Sequence, residues 1–286
     1  MQRFADAGAS LEEARAVIFG IPFQQTVSFR KGTAKAPEDI REESYNFEIF
    51  QLEHGIDLAE LRIHDALDLD GLSDVGTMLA RTEAEARRLS AGGRFLVGLG
   101  GEHSVSEPLI KAFGKINVLI LDAHLDFRDE YEGERHSHAC AARRIADMVG
   151  TEHIYQIGIR SGCKEEYEDA KRMGLKFSPA TAVREHGIET ACDKAAKHLG
   201  NGPLYLSIDI DAVDPAYAPG TGTPEPWGIT SWDAKYVVDR FAPALTAMDV
   251  VEVCPAYDNG NTSSLAAKLV REAMALRLTK GKSTVS

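Results

Sequence analysis

The chain has little sulfur, few basic residues and no long apolar run. Its four cysteines, Cys140, Cys163, Cys192 and Cys254, lie far apart, and no CxxC pair occurs. This spacing argues against a disulfide framework or a thiolate zinc site, and it suits a reducing, cytoplasmic compartment. No apolar stretch approaches the ~20 residues that a membrane-spanning helix needs. The opening MQRFADAGASLEEAR lacks the apolar centre of a secretion signal. Against 44 Asp and Glu stand only 32 Lys and Arg, for a net charge of −12. Such a surface repels phosphate backbones and anionic membranes, so neither is an expected partner, and a small cationic ligand is favoured. Internal repeats and low-complexity linkers are also lacking, and the closing TKGKSTVS reads as a frayed tail.

What is present is enough to build a sizeable core. With 286 residues and 44% apolar content, one α/β domain over 1–286 is the expectation. Short apolar runs predict strands at Ala16–Ile21, Phe95–Leu99, Val118–Asp122, Ile154–Ile159, Leu204–Asp209 and Val250–Val253. Amphipathic patterns predict helices near 36–50, 72–91, 104–114, 139–149, 164–173, 186–199, 231–240 and 263–278. Continuously apolar strands alternating with helices predict a mainly parallel sheet covered on both faces, a three-layer α/β/α sandwich. The Gly- and Pro-rich segment 211–230 has neither period, and a loop of that length in a compact domain is usually functional.

Ligands of open parallel sheets bind beyond the carboxyl ends of the strands. The chemistry-bearing residues cluster there. Asp122, His124 and Asp126 follow one apolar run at the strand period, so they share a face while the chain stays extended. Asp209 and Asp211 end a second run, Gly100-Gly101-Glu102-His103 follow a third, and Glu252 lies in a fourth, whose apolar pattern it interrupts. A lone Asp at a strand end is usually a cap or turn residue. Four carboxylates brought together in a partly dry crevice repel one another unless cations balance them. Two divalent ions would do so, with His103 and His124 as neutral nitrogen ligands. An oxygen-rich set without thiolate favours manganese or magnesium over structural zinc.

GGEHS (100–104), DAHLD (122–126) and SIDIDAVDPAYAPGTGTPEP (207–226) resemble the signature segments of the ureohydrolases, the arginase and agmatinase family, in that family's order. The resemblance implies a dinuclear manganese (Mn2+) site and hydrolysis of a guanidinium group to urea and an amine. One ion would take His103, Asp122, Asp126 and Asp209, and the other Asp122, His124, Asp209 and Asp211. Asp126 would also accept a hydrogen bond from a hydroxide bridging the ions. Glu252 matches the family's carboxylate that pairs with the guanidinium. His138 matches its proton shuttle, with His136 left as a solvated neighbour. Asp214 is expected to brace its loop. The family also implies a homo-oligomer, trimeric or hexameric.

The segment Phe127 to His138, FRDEYEGERHSH, should border the substrate. Its acids, with Asp129 and Glu130 beside Arg128 as the proposed contacts, suit the distal ammonium of agmatine better than the carboxylate of arginine. Arginine or guanidinobutyrate is the alternative, and a non-catalytic metal-binding homologue is a more distant one. Glu102, Ala139 and Trp227 replace residues common in the family. Trp227 is expected to narrow the pocket mouth or to pack on a neighbouring subunit.

Overall fold

The continuous apolar runs become the inner strands of one sheet in the computed structural model, which describes residues 2–279. The tail from 280 on lies outside the described residues. In chain order the elements are β1 (Ala16–Ile21), α1 (Ala36–Glu43), β2 (Phe50–Gln51), β3 (Ile56–Asp57), β4 (Ile63–Asp68), α2 (Val75–Ser90) and β5 (Phe95–Gly100). Then follow α3 (Ser106–Lys111), β6 (Asn117–Leu121), α4 (Ala141–Val149), β7 (Ile154–Ile159), α5 (Lys164–Met173), β8 (Lys176–Pro179) and α6 (Ala180–His186). The chain closes with α7 (Ile188–Leu199), β9 (Leu204–Asp209), α8 (Ser231–Phe241), β10 (Leu245–Val251) and α9 (Asn261–Thr279).

Eight strands pair in the order β4-β1-β5-β10-β9-β6-β7-β8, every pair parallel. β2 and β3 form a separate antiparallel hairpin. Strand side chains alternate between two apolar layers. Leu119 and Leu121 of β6 join α1 and α6–α9, while Val118 and Ile120 face α2–α5. The architecture is the expected three-layer sandwich. Each fully buried Leu or Ile contributes about 1.5–3 kcal/mol, and β1, β5, β6 and β9 are buried at every position, so the centre of the sheet is the most strongly held part of the fold.

The differences fall at the edges and ends. β4 and β8, the two edge strands, were not anticipated. IHDALD and KFSP carry charge, a polar residue or proline because one side of each strand has no partner. The helix expected over 36–50 stops at Glu43, and 50–57 turns instead into the hairpin. β10 begins at Leu245 and ends at Val251, so Glu252 does not interrupt a strand but follows one.

Candidate functional site

The four central strands β5, β10, β9 and β6 are consecutive neighbours, and the polar residues stand at or just beyond their carboxyl ends. Asp122 follows β6, Asp209 closes β9, Glu252 follows β10, and His103 lies three residues past β5. Local backbone choices aim them. A Cβ on Gly101 would sit 1.9 Å from the Phe23 carbonyl oxygen, so only glycine lets the chain after β1 cross here. Asp126 and Glu252 hold left-handed φ values of 47° and 61°, a strain of about 1–3 kcal/mol each for non-glycine residues. Asp122, His124 and Asp126 therefore converge through a turn after the strand and not through the strand pleat.

Around His103 Nδ1 lie Asp126 Oδ2 at 3.1 Å, Asp209 Oδ2 at 3.2 Å and Asp122 Oδ2 at 3.3 Å. Around His124 Nδ1 lie Asp211 Oδ2 at 2.9 Å and Asp122 Oδ1 at 3.8 Å. Asp122 belongs to both groups. Backbone amides orient the carboxylates: His124 N donates to Asp122, Ala123 N to Asp211, and Asp211 N to Asp209. Behind His103, Nε2 meets Ser207 Oγ at 3.3 Å, and Asp249 accepts hydrogen bonds from Ser207 and Tyr205, each at 2.7 Å. On the far side of His124, Nε2 lies 3.8 Å from Glu225, which accepts a bond from Ser161. Partners of this kind fix which ring nitrogen is available to an ion.

The residues fit a pair of cations. His103 Nδ1 and Asp122 Oδ2 are buried without a hydrogen-bond partner, which is costly unless another group meets them. Charges show the same deficit. Burial and the Asp126 charge push Asp122 up to about 7, and burial with Asp211 and Asp122 raises Asp209 well above the carboxylate range. Burial pulls His124 down, but Asp211 and Asp122 outweigh it and bring the ring to about 11. His103 is raised by the same balance of burial against Asp122, Asp126 and Asp209. Burial acts against the Asp211 carboxylate, but His124 holds it below its usual range. Protons thus occupy the charge positions that divalent ions would take, and the donors, four carboxylates and two imidazoles, are those of a hard or borderline ion.

A cleft of about 360 Å3 opens over these groups, lined by His124, Asp126, Asp209, Asp211, His138 and Glu252 among others. Glu252 is buried. Its Oε1 accepts the His103 amide at 2.7 Å, and burial, with the Glu102 charge, pushes its carboxyl up to about 8. His138 is held by Thr26 Oγ1 at 3.2 Å from Nδ1 and Ser28 Oγ at 3.3 Å from Nε2, and Tyr131 meets it edge-on. Buried Glu102 organises this support: it accepts bonds from the Gln25 and Thr26 amides and from the Thr26 and Ser104 hydroxyls. His136 lies off the cleft lining and pairs with Glu107 at 2.7 Å.

The acidic loop is divided. Arg128 lines the cleft, stacked over Tyr131 and 3.6 Å from Glu166. Asp129 and Glu130 do not line it. Asp129 binds Arg144 at 2.6 Å and Arg135 at 2.8 Å, which cancels its charge, and Glu130 is exposed. Trp227 is 87% exposed at a left-handed φ and does not narrow the cleft. Asp214 braces its loop by accepting the Ala216 and Gly228 amides. Sequence reading missed Glu166, a buried cleft acid whose signal was its place three residues into α5, where it accepts the Phe127 and Cys163 amides. It also missed Thr26, Ser28 and Arg160. Arg160 reaches the Asp211 and Glu225 carbonyls and ties segment 211–230 to β7.

The arginase family model matches residues 14–276. An agmatinase of Bacillus anthracis is 38% identical over 94% of both chains. A guanidinobutyrase of Pseudomonas aeruginosa is 32% identical over 92% of this chain and 86% of that one. The crystal structure of an agmatine ureohydrolase of Thermoplasma volcanium superposes with a TM-score of 0.95 at 37% identity, covering 100% of this chain and 97% of that one. By matched length, motif order and fold, the chain belongs to the arginase family of ureohydrolases.

Proposed function

We propose that this chain hydrolyses agmatine to putrescine and urea with a pair of manganese ions. His103, Asp122, Asp126 and Asp209 would hold one ion, and Asp122, His124, Asp209 and Asp211 the other. The observation that carries this reading is the sharing of Asp122 by two histidine–carboxylate groups beneath a cleft that also presents Glu252 and His138. Bound divalent ions lower the pKa of water toward neutrality and so supply a strong nucleophile, which the delocalised guanidinium carbon requires.

The protein side chains do the rest. Glu252, ionised by the approach of a cation, pairs with the guanidinium and fixes its plane for attack. Its Oε1 is already bound to the His103 amide, so Oε2 is the freer acceptor. Asp126, in the turn above β6, would accept a hydrogen bond at its carboxylate and so orient the attacking oxygen. His138, on the cleft wall, delivers a proton to the departing amine nitrogen, a role suited to an imidazole, which can both carry and release a proton. Glu166 supplies negative charge for the distal ammonium of agmatine, a part first assigned to Asp129 and Glu130.

One observation favours a second reading. Arg128 is a cation on the cleft wall, and it would suit the carboxylate of guanidinobutyrate. Agmatine is preferred because Arg128 is stacked on Tyr131 and the rest of the charged cleft lining is mainly carboxylate. The deciding experiment is urea release by the manganese-loaded protein from agmatine, arginine and guanidinobutyrate. Agmatine should give the highest kcat/KM; a higher value for guanidinobutyrate would transfer the distal contact to Arg128. Four free thiols fit a cytoplasmic setting. Exposed Phe29, Leu52 and Trp232 fit the homo-oligomer that the family implies.

A further inference from the structure

We infer that the molecule carries another divalent-metal site, remote from the cleft, at His54, Asp239 and Glu272 with Glu53 at its rim. Among the described residues, His and acid side chains come close enough to hold an ion in three groups, and two of these share Asp122. The third is Glu53, His54 and Asp239. His54 Nε2 lies 3.1 Å from Glu272 Oε2 and 4.0 Å from Asp239 Oδ1. Zinc–ligand lengths of about 2.0–2.2 Å place neighbouring ligands roughly 3–3.5 Å apart, so the first spacing fits and the second needs only a small closure.

The independent sign is in the hydrogen bonding. His54 Nε2, Asp239 Oδ1 and Glu272 Oε2 are all buried atoms that lack a hydrogen-bond partner, and both oxygens lie within 4.0 Å of that nitrogen. The Glu272 side chain is only 4% exposed. The same kind of orphaned nitrogen and oxygen marks the catalytic centre. His54 Nε2 and Glu272 Oε2 lie 3.1 Å apart with no directed hydrogen bond between them. Two lysines complete the arrangement. Lys235 binds Asp239 Oδ2 and Glu53 Oε1, and Lys268 binds Glu272 Oε1. Each lysine fixes one oxygen of a carboxylate, half-buried Asp239 or buried Glu272, and leaves the other oxygen nearer His54. The two lysines compensate two of the carboxylates, and one negative charge remains for a cation.

One imidazole with carboxylates, and no thiolate, suits a borderline ion such as zinc. It would join the β2–β3 turn, α8 and α9, three segments far apart in the chain, and so act on stability and not on turnover. None of these residues lines the cleft.

The test uses the full chain, stripped with chelator and reloaded with Zn2+. Anomalous diffraction at the zinc edge should show a peak between His54 and Glu272 besides those in the cleft; peaks in the cleft alone overturn the inference. A peak at His54 with none in the cleft would instead sink the proposed catalytic centre and leave this site standing. In solution, His54→Ala and Glu272→Gln should each lower bound zinc by about one ion per chain, while the manganese-loaded variants keep agmatine turnover. His54→Gln, a milder change at a partly exposed turn, guards against misfolding. Unchanged zinc content in His54→Gln and His54→Ala assigns the site to a proton on His54 and ends the proposal.

Discussion

At the scale of single residues, the site divides into groups that hold cations and groups that act on substrate. Asp126→Asn or His124→Asn keeps shape but removes a charge or a ring nitrogen. Each should lower bound manganese, read by mass spectrometry, and abolish urea release. Metal loss with normal turnover would sink the dinuclear mechanism. For His138→Ala, manganese content should hold while kcat falls about 100- to 10,000-fold, the usual range for general acid–base catalysis. Unchanged turnover would hand that proton to solvent or to another group. The clustering of the candidate ligands was legible because the residue types and their order are themselves the motif. Glu166, Thr26 and Asp249 were not, because each acts through a backbone amide, a hydroxyl or a buried partner that only folding brings near. Asp249→Ala strands the Ser207 and Tyr205 hydroxyls. Manganese affinity should drop by roughly 10- to 100-fold, with a stability loss of about 1–3 kcal/mol. Titration of the metal-free variant, with its melting temperature, measures both.

Elements were legible in proportion to how completely they are buried. Strands covered on both faces leave an unbroken apolar run, and β1, β5, β6, β7 and β9 were placed to within about a residue. The edge strands β4 and β8 lack that mark. β10 was recovered only at its carboxyl end, because Thr246 and Asp249 break the run: Asp249 is buried, but it is satisfied by hydroxyls of β9. Turns after the strands set the site geometry, and their signal is glycine. At Gly101, an alanine would press on the Phe23 carbonyl at 1.9 Å and push the chain after β1 away from Glu102. Gly101→Ala should therefore lose soluble yield or, if it folds, lose activity with His138 misplaced. A folded, fully active variant would show that this approach is not needed.

Across the whole molecule, the site sets charge against stability. Asp122 and Glu252 hold protons in the metal-free fold up to about 7 and about 8, against ~3.9 and ~4.3 in an unfolded chain. His124 holds its proton to about 11 against ~6.5. All are raised on folding, so their contribution is complete below the unfolded values and is lost as pH climbs through the folded ones. Chelated protein should thus melt at lower temperature as pH rises from about 4 toward 8. Manganese should restore stability by more at higher pH, since binding it displaces those protons. Calorimetry in buffers of different ionisation enthalpy should show net proton release on binding. Proton uptake, or a metal-free melting temperature that rises with pH across this window, would contradict the charge assignment.

The place of β10 has a consequence for how the protein is made. Among the described residues it is the last strand in chain order, yet it lies between β5 and β9, at the middle of the sheet. Until residues 245–251 leave the ribosome, β5 and β9 each present an unpaired apolar edge, and the four strand ends cannot assemble. Long-range pairing of this kind is slow and exposes surfaces that aggregate. Metal cannot replace it: β6 and β9 pair directly and can bring Asp122, His124, Asp209 and Asp211 together, but His103 beyond β5 joins them only through β10. Chains stalled before Leu245 should be sensitive to protease and gain little resistance from manganese, whereas chains stalled with α9 exposed should become resistant, and manganese should add more to that resistance. Assembly of the sheet and of the full cluster of strand ends would then be one event, completed only once β10 has been made.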